Sequence, residues 1–291
     1  MGILQLPKRL HPDFALDGRQ PQSQFVMDYS NPLTTGASLL VDSSGYDFVS
    51  GVQGDLVNGA ALGIGRHGRS AFLGNDATAD TTIPEAIDFP NFSFNETQFS
   101  ITFISQWTGP AAAFNRLFSA KDSFTDTKGF ECQTSTDADA FVMTGASNKF
   151  WQPTIATSWA FGGDVFILTA QWDGTSSKVY LNGDLVASQT AAAIDAAGAT
   201  TGGIRVGAVL VANDRAFEGH MSYVYIKKGV LTDREARSLH QDPYQIVKPA
   251  VPQLYFVPTA AVAGRIMSSL ASHGGLAGYG GIAGKGGGLA G

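Results

Sequence analysis

Residues 165–187 read VFILTAQWDGTSSKVYLNGDLVA, and this stretch decides the fold. Two apolar segments, 179–181 and 185–187, flank the Asn-Gly pair at 182–183. That pair tolerates positive φ and suits the type I′ turn of a two-residue β-hairpin. The continuous apolar run at 165–168 is typical of a central strand that is covered on both faces. The stretch therefore predicts a buried strand followed by a hairpin.

Further strand patterns lie on both sides of this hairpin. Residues 99–103 alternate with a period of two, which places Phe99, Ile101 and Phe103 on one face of a strand. Residues 204–206 and 221–226 predict two more strands. Such short runs recur between Gly, Asn, Asp and Ser clusters at intervals of roughly 8–15 residues, as in an antiparallel β-sandwich.

One short helix is predicted near the end of this region. Thr232 and Glu235 have the spacing of a capping box, in which each side chain bonds the other residue's backbone amide. Apolar residues continue the helical pattern, and Pro243 limits it.

Composition narrows the classes of partner. The chain has 291 residues, 44% of them apolar, and a formal net charge of −6. The charge and the lack of long Lys/Arg runs argue against a nucleic-acid partner. No apolar run is long enough to span a bilayer, so no membrane partner is expected. We see no signal-peptide pattern at the N-terminus. The chain has a single cysteine, Cys132, so an intrachain disulfide is excluded. The lack of a disulfide favours assembly in a reducing cytoplasm.

Several segments, in the same order along residues 31–247, resemble the laminin-G-like, concanavalin A-like jelly-roll family. The resemblance implies an all-β, two-sheet antiparallel jelly-roll sandwich with one short C-terminal helix. The segments are 31–36 with 46–51, then 99–103, then 171–174 with 179–183, and finally 217–221 with 231–236.

Four regions are predicted. Residues 1–30 are rich in Pro, Gln, Asp and Arg without a period, as expected of an extended N-terminal arm. The jelly-roll domain covers 31–247. An extended connector covers 248–272, and a glycine-rich tail covers 273–291.

The tail repeats glycine at every third position, and two interpretations stay open. In one it is a flexible segment, because glycine loses the most backbone entropy on ordering. In the other it orders against a partner in an assembly. Its glycines would then let backbones approach closely while single apolar side chains enter small pockets. The residues concerned are Gly275, Leu276, Gly278, Gly281, Ile282, Gly284, Gly287 and Leu289.

Residues 42–54 and 242–246, together with the helix, are most similar to laminin-G-like proteins of bacteriophages and prophages. This resemblance implies a non-catalytic virion structural protein, such as a capsid decoration, head fibre or tail-associated protein. It would be anchored through its terminal extensions and located on the virion surface after assembly in the host cytoplasm. Its partners would be other virion proteins and copies of itself in a homo-oligomer. The alternative is a carbohydrate-binding adhesin module for host-surface glycans.

A third alternative is a glycoside hydrolase or lyase, because such enzymes share this sandwich. Hydrolysis needs two facing carboxylates. The Glu-x-Asp-x-x-Glu string of the best-known hydrolases of this fold is absent. Glu85 and Asp88 have the wrong spacing for one strand face, and Asp137 with Asp139 reads as a turn. No catalytic residue is therefore expected.

No cofactor is expected either. Cys132 reads as a packed small residue, and the five histidines lack metal-ligand spacing. The Gly-x-Gly-x-x-Gly string at 63–68 precedes a strand pattern, so it does not predict a dinucleotide loop. Calcium has Asp173, Asp184 and Asp214 as candidate ligands, with turn formation as their alternative role.

A carbohydrate ligand needs an aromatic platform. Trp107, Trp151 and Trp159 are the candidates, with core packing as the alternative for each. Trp172 is assigned to the core because it ends the apolar strand.

Overall fold

The structure is a computed structural model. It describes residues 25–42, 44–57, 59–65, 68–73, 85–92, 97–108, 116–120, 130–134, 141–144, 150–151, 165–190, 203–208 and 217–249. The chain divides into two units, Met1–Ala250 and Val251–Gly291, and every described residue belongs to the first.

The described part of the chain is almost entirely strand. Its single α-helix, α1, covers Asp233–Gln241, and two short 3-10 helices cover Pro32–Thr34 and Pro243–Ile246. The strands are β1 (Phe25–Met27), β2 (Ala37–Asp42), β3 (Tyr46–Asp47), β4 (Val52–Gln53), β5 (Asp55–Val57), β6 (Ala61–Gly65), β7 (Gly68–Leu73), β8 (Ala86–Phe89), β9 (Phe99–Trp107), β10 (Arg116–Ser119), β11 (Glu131–Thr134), β12 (Phe141–Thr144), β13 (Phe150–Trp151), β14 (Val165–Trp172), β15 (Ser176–Leu181), β16 (Asp184–Thr190), β17 (Ile204–Val206), β18 (Gly219–Lys228) and β19 (Val247–Pro249).

Two antiparallel sheets contain most of these strands. The large sheet has ten strands in the order β16-β15-β14-β9-β18-β2-β3-β4, with β7 also pairing with β18 and β6 pairing with β7. The small sheet has seven strands in the order β13-β12-β11-β10-β17-β8-β5. The predicted all-β antiparallel sandwich with one short helix is confirmed.

The main core contains residues from both sheets. Phe99, Ile101 and Phe103 enter it from β9, as their alternation predicts, whereas Ile104 belongs to a second cluster. Trp172 is 1% exposed within the main core, which confirms its predicted position. Small-sheet residues in the same cluster include Ile87, Phe118, Cys132 and Val206.

The second cluster lies on the other face of the large sheet. Ala236 and Leu239 of α1 pack there with large-sheet side chains such as Ile167, Tyr180 and Tyr225. Alternate residues of the large-sheet strands thus enter different cores. As a result, the large sheet is buried on both faces.

The predicted helix and its capping box are confirmed. The Thr232 hydroxyl accepts from the Glu235 amide at 3.2 Å, and the Glu235 carboxylate accepts from the Thr232 amide at 2.7 Å. The predicted hairpin is also confirmed, since β15 and β16 pair around Asn182 and Gly183, whose φ values are 52° and 93°. These positive values explain the Asn-Gly pair.

The domain extends further toward both ends than the sequence predicts. β1 pairs with β19 in a separate two-stranded ribbon, and the Asp28 amide donates to the Ile246 carbonyl at 2.8 Å. Residues 25–30, assigned from sequence to the N-terminal arm, and 248–249, assigned to the connector, therefore belong to the domain. Local sequence patterns could not predict this pairing, because β1 and β19 are more than 200 residues apart in the chain.

A buried histidine joins the helix to the hairpin. His240 is 0% exposed, and its Nδ1 accepts a hydrogen bond from the Gly183 amide at 2.6 Å. The Nε2 atom lies 2.7 Å from the Thr169 hydroxyl. Because a backbone amide can only donate, Nδ1 is the acceptor and Nε2 carries the proton. Burial lowers the pKa of His240 to about 3, so the ring is neutral in the folded protein.

This histidine predicts a loss of stability in acid. In the unfolded chain His240 has its ordinary pKa of 6.5 and becomes protonated below that pH. In the folded protein it stays neutral until about pH 3. Each pH unit below 6.5 then removes at most about 1.4 kcal/mol, so we expect a loss of about 2–3 kcal/mol at pH 4.5 from this residue. Denaturant unfolding at several pH values between 4.5 and 7.5 measures this loss in the free energy of unfolding.

Other groups also titrate in this range, so the contribution of His240 is the difference between the wild-type slope and that of His240→Gln. The variant is expected to be less stable at pH 7.5 but to lose less on acidification. Identical pH slopes for the two proteins would show that His240 is not the cause.

Candidate binding face on the small sheet

A row of polar residues crosses the small sheet on the side away from the main core. Backbone pairing aligns Asp55 with Asp88, Asp88 with Arg205, Arg205 with Ser119, and Ser119 with Glu131. Paired residues of antiparallel strands share a face. Along β8, β17 and β11 their neighbours belong to the main core; these are Ile87, Phe89, Ile204, Val206 and Cys132. The five polar residues therefore lie on the sheet face opposite the main core, where Asp55 is exposed while Ser119 and Glu131 are buried. We call this surface the polar face.

The exposed end of the polar face carries a two-point ion pair. Arg205 Nε lies 2.5 Å from Asp88 Oδ1, and Arg205 Nη2 lies 2.6 Å from Asp88 Oδ2. These side chains are 16% and 18% exposed, so the pair is accessible at its edge. Asp55, on the neighbouring edge strand, is exposed. The Arg205 guanidinium thus fixes the positions of both carboxylate oxygens of Asp88.

The other end carries a buried ion pair. Arg116 Nε lies 3.1 Å and Nη2 3.4 Å from the two Glu131 oxygens, and Ser119 donates to Glu131 at 3.1 Å. The arginine and glutamate side chains are 2% and 3% exposed. A register shift after Arg116 allows Arg116 and Ser119 to reach the same face, while Leu117 and Phe118 both enter the core.

Gln133 is opposite Arg116 in the register and is 2% exposed. Its Oε1 atom has no hydrogen-bond partner within the described part of the chain. An enclosed acceptor without a donor destabilises a protein by about 1–3 kcal/mol. Such an atom on a charged face is what a site for a donor-bearing ligand would contain.

The spacing of carboxylates on the polar face does not suit glycoside hydrolysis. Asp88 and Glu131 are three strands apart, which corresponds to about 14 Å and exceeds the separation in both retaining and inverting enzymes. Asp55 lies directly opposite Asp88, but Arg205 occupies both Asp88 oxygens. In the described part of the polar face, Asp88 and Glu131 are therefore not placed as a hydrolytic pair.

The predicted aromatic platform is in part corrected. Trp107 is 0% exposed and packs edge-to-face on Phe217 with ring centroids 5.0 Å apart, so it belongs to the core and cannot contact a ligand in this structure. Trp151 lies in β13 and pairs with Met143, which pairs with Cys132. Phe150, not Trp151, occupies the register of the Glu131 row. Trp159 lies outside the described residues.

Of the candidate calcium ligands, Asp173 and Asp184 are not brought together. Asp173 precedes β15 and Asp184 follows it, so about 20 Å of strand separates them. The Asp173 carboxylate accepts from the Thr175 amide at 2.8 Å and the Ser176 amide at 2.6 Å, which is the turn-forming role. Asp214 lies outside the described residues. Among the residues that the structure describes, no three metal-ligating side chains form a group.

The predictions for Cys132, for the glycine string and for the tail residues have different outcomes. Cys132 is buried in the main core, and burial raises the pKa of its thiol, as expected of a packed residue. The two ends of the glycine string, 63–65 and 68, lie in the paired strands β6 and β7, so a strand and not a helix follows the string. The eight tail residues named for assembly, Gly275 to Leu289, lie outside the described residues.

A small recess of about 190 Å³ lies on the opposite side of the sandwich, beside the start of α1. Its polar groups are used within the fold. Gln171 accepts from the Leu231 amide at 3.0 Å, and Lys178 pairs with Asp233 at 3.0 Å. The recess therefore joins the helix to the large sheet, and its residues provide controls for the polar face.

Fold and site together define a β-sandwich domain with one charged outer sheet face. No family model matches the chain, and no curated protein sequence is similar to it. In the described residues, no helix has the length and apolar character needed to cross a membrane.

Solved structures share the fold. One is domain 4 of AbnA, an extracellular arabinanase from Geobacillus stearothermophilus, in complex with arabinotriose. It has a TM-score of 0.53 and 17% identity, covering 70% of this chain and 98% of that domain. The binding domain of botulinum neurotoxin DC, in complex with rat synaptotagmin II, has a TM-score of 0.50 and 14% identity over 70% of this chain. The receptor binding domain of botulinum neurotoxin type G has a TM-score of 0.51 and 14% identity over 71% of this chain. The match spans about half of each toxin domain (51%).

Proposed function

We propose that this domain is a non-catalytic carbohydrate-binding module whose ligand lies on the polar face of the small sheet. One observation carries the proposal. The outer face of the large sheet is covered by α1 and the second apolar cluster, whereas the outer face of the small sheet carries the charged row, which is accessible at the end formed by Asp55, Asp88 and Arg205. A face needed only for packing would not require buried charges, because burying ion pairs seldom adds stability.

The chemistry of the polar face suits sugar hydroxyls. A hydroxyl both donates and accepts hydrogen bonds, and carboxylate and guanidinium groups provide strong charge-assisted partners. The Arg205–Asp88 contact at 2.5 and 2.6 Å holds both groups in place before a ligand arrives. Side chains that are already ordered lose less entropy on binding.

The structural neighbours support a binding module more than a virion structural protein. AbnA domain 4 was solved with arabinotriose, and the toxin domains are receptor-binding or binding domains by name. At this identity the likeness concerns the fold alone, so the ligand is our proposal.

The virion role and the virion-surface location rest on the family resemblance of the sequence, and no comparison bears on them. They stay predictions, as does the homo-oligomer. Deleting residues 273–291 and assaying incorporation into particles would test the anchoring function. Unchanged incorporation after removal of both terminal extensions would contradict it.

Replacing Arg205 with methionine tests the proposed site. The change removes the guanidinium at the exposed end of the polar face, so we expect binding of the best glycan-array hit to weaken roughly 10–100-fold, as for loss of a charged hydrogen bond. Titration calorimetry measures the change. The control is Lys178→Met on the large sheet, which removes a similar charge beside the recess and should leave affinity unchanged.

Circular dichroism and unfolding curves check that Arg205→Met remains folded, and Asp55→Asn provides a second variant at an exposed position. Equal affinity in the Arg205 variant, with loss in the Lys178 variant, would place the ligand elsewhere. Absence of binding across a broad glycan array would contradict a carbohydrate-binding function.

A further inference from the structure

One edge of the large sheet is formed by a long strand. Strand β16 has seven residues, and no strand of the described part of the chain pairs along its outer edge. The other edge strands of the two sheets are shorter: β6 has five residues, β5 has three, and β4 and β13 have two each. An edge strand presents unpaired backbone groups to any other extended chain, and short edge strands are one way in which natural proteins avoid such pairing. Strand β16 lacks this protection.

The composition of β16 leaves the edge open to pairing. Residues 185–190 contain no charged residue and no proline, and Asp184 at the first position carries the only charge of the strand. Leu185 is 42% exposed, and Ser188 is exposed as well. A register shift against β15 disturbs the end of β16 near the turn, whereas 187–190 pair regularly with β15. Most of the strand is therefore a regular, uncharged edge.

A second copy of β16 is complementary to this edge in charge. When two copies pair antiparallel along the whole strand, Asp184 of each lies opposite the uncharged far end of the other, near Thr190. The two Asp184 carboxylates are then about 20 Å apart along the strands, a distance at which salt screens their repulsion. The strand also contains leucine, valine and threonine, and the last two are residues that favour strands, whereas the glycines of the tail at 273–291 disfavour them.

The size of the contact sets its strength. One pair of seven-residue strands buries less than the roughly 1,200 Å² at the lower end of stable protein interfaces. We therefore expect a dimer that dissociates on dilution, with a dissociation constant on the order of micromolar or weaker.

We infer that β16 is the contact of a homodimer, in which two copies pair antiparallel along this edge and their large sheets join into one continuous sheet. A sheet that continues across the contact keeps its core faces on one side. The two small sheets then lie on the same side, and both polar faces point in the same direction. The dimer therefore presents two binding faces to one surface, so that both can attach together. The pairing of β16 does not depend on the proposed function, whereas the two-site attachment rests on it.

Sedimentation equilibrium of the full chain tests the pairing. Between about 5 and 500 µM the average mass should rise from that of the monomer toward that of the dimer. The double variant Leu185→Lys with Ser188→Lys places like charges along the edge and should weaken association about tenfold or more. The matched control is Val52→Lys, because Val52 is 48% exposed on β4, another edge of the same sheet, and its replacement should leave association unchanged. Circular dichroism checks that each variant remains folded.

Cross-linking provides a second measurement that places no charge on the edge. Cys132 is buried, so a cysteine introduced at Ser188 is the reactive thiol of the folded variant. Ser188 lies near the middle of β16, and antiparallel pairing brings this position of the two copies within one or two residues of each other. A short bismaleimide should therefore link Ser188→Cys into dimers at concentrations where Val52→Cys stays monomeric.

Three results would overturn the pairing: a monomer at every concentration, association that the β16 double variant retains, or equal cross-linking of the two cysteine variants. The two-site attachment has its own test on a surface densely coated with the best glycan-array hit. The wild type should be retained about tenfold more tightly than the double variant, while calorimetry finds equal affinity for the same glycan in solution. Equal retention on the surface would overturn two-site attachment alone. A blank glycan array would contradict the proposed function, and the sedimentation result would still decide the pairing.

Discussion

Replacing Asp47 with alanine is expected to lower the free energy of unfolding by about 4 kcal/mol. The Asp47 carboxylate is 0% exposed and accepts from the backbone amides of Leu40 at 2.9 Å, Val49 at 3.0 Å and Ser50 at 3.1 Å. It also accepts from the Ser50 hydroxyl. Alanine leaves three amides without a partner, and each enclosed orphan group destabilises the fold by about 1–3 kcal/mol.

Denaturant unfolding followed by tryptophan fluorescence measures this loss. Asp184→Ala is the control, because that carboxylate is exposed and its removal should change stability by no more than about 0.5 kcal/mol. A loss below about 1 kcal/mol for Asp47→Ala would mean that the turn after β3 does not depend on this carboxylate. Asp47 lies in the 46–51 segment that carries part of the family resemblance, so the prediction also gives that segment a physical role.

Replacing Arg116 with methionine is expected to destabilise the domain by about 3–5 kcal/mol. The change leaves the Glu131 carboxylate buried without its arginine partner, and a buried charge that loses its ion-pair partner is strongly unfavourable. The double variant Arg116→Met with Glu131→Leu removes both charges. It should recover most of the lost stability, because apolar side chains of similar size replace buried ion pairs well.

The wild type, Arg116→Met, Glu131→Leu and the double variant form a double-mutant cycle. The cycle gives the coupling energy between the two positions. Unfolding free energies from denaturant titration supply each corner. If the double variant is as unstable as the sum of the single variants, the charges are not coupled and the buried ion pair is not the reason for the effect. Recovery would show that the pair is retained for something other than stability, in keeping with a role in binding.

Local patterns were sufficient for much of the fold. The Asn-Gly turn at 182–183 predicted the β15–β16 hairpin, because only a few residues tolerate its positive φ values. Thr232 and Glu235 predicted the start of α1, because capping depends on neighbouring atoms alone. The alternation in 99–103 identified the core face of β9.

The polar face was not predictable from such patterns. Asp88 and Arg205 are 117 residues apart, and only the register of β8 and β17 aligns them. The available signal was a charged residue between two apolar ones in each strand, as in Ile204-Arg205-Val206, but that pattern also fits an ordinary exposed strand face. The register shift that turns Arg116 outward leaves no mark in the sequence. For Trp107 the sequence left two roles open, because an aromatic residue at a strand end suits a core or a platform equally.

Hydrogen exchange with and without a bound trisaccharide tests most directly whether the ligand occupies the outer face of the small sheet. Binding is predicted to slow amide exchange in β8, β17 and β10, around Asp88, Arg205 and Ser119, and to leave β15, β16 and α1 unchanged. Slower exchange confined to β15, β16 and α1, on the side of the recess, would contradict the assignment of the polar face as the binding surface.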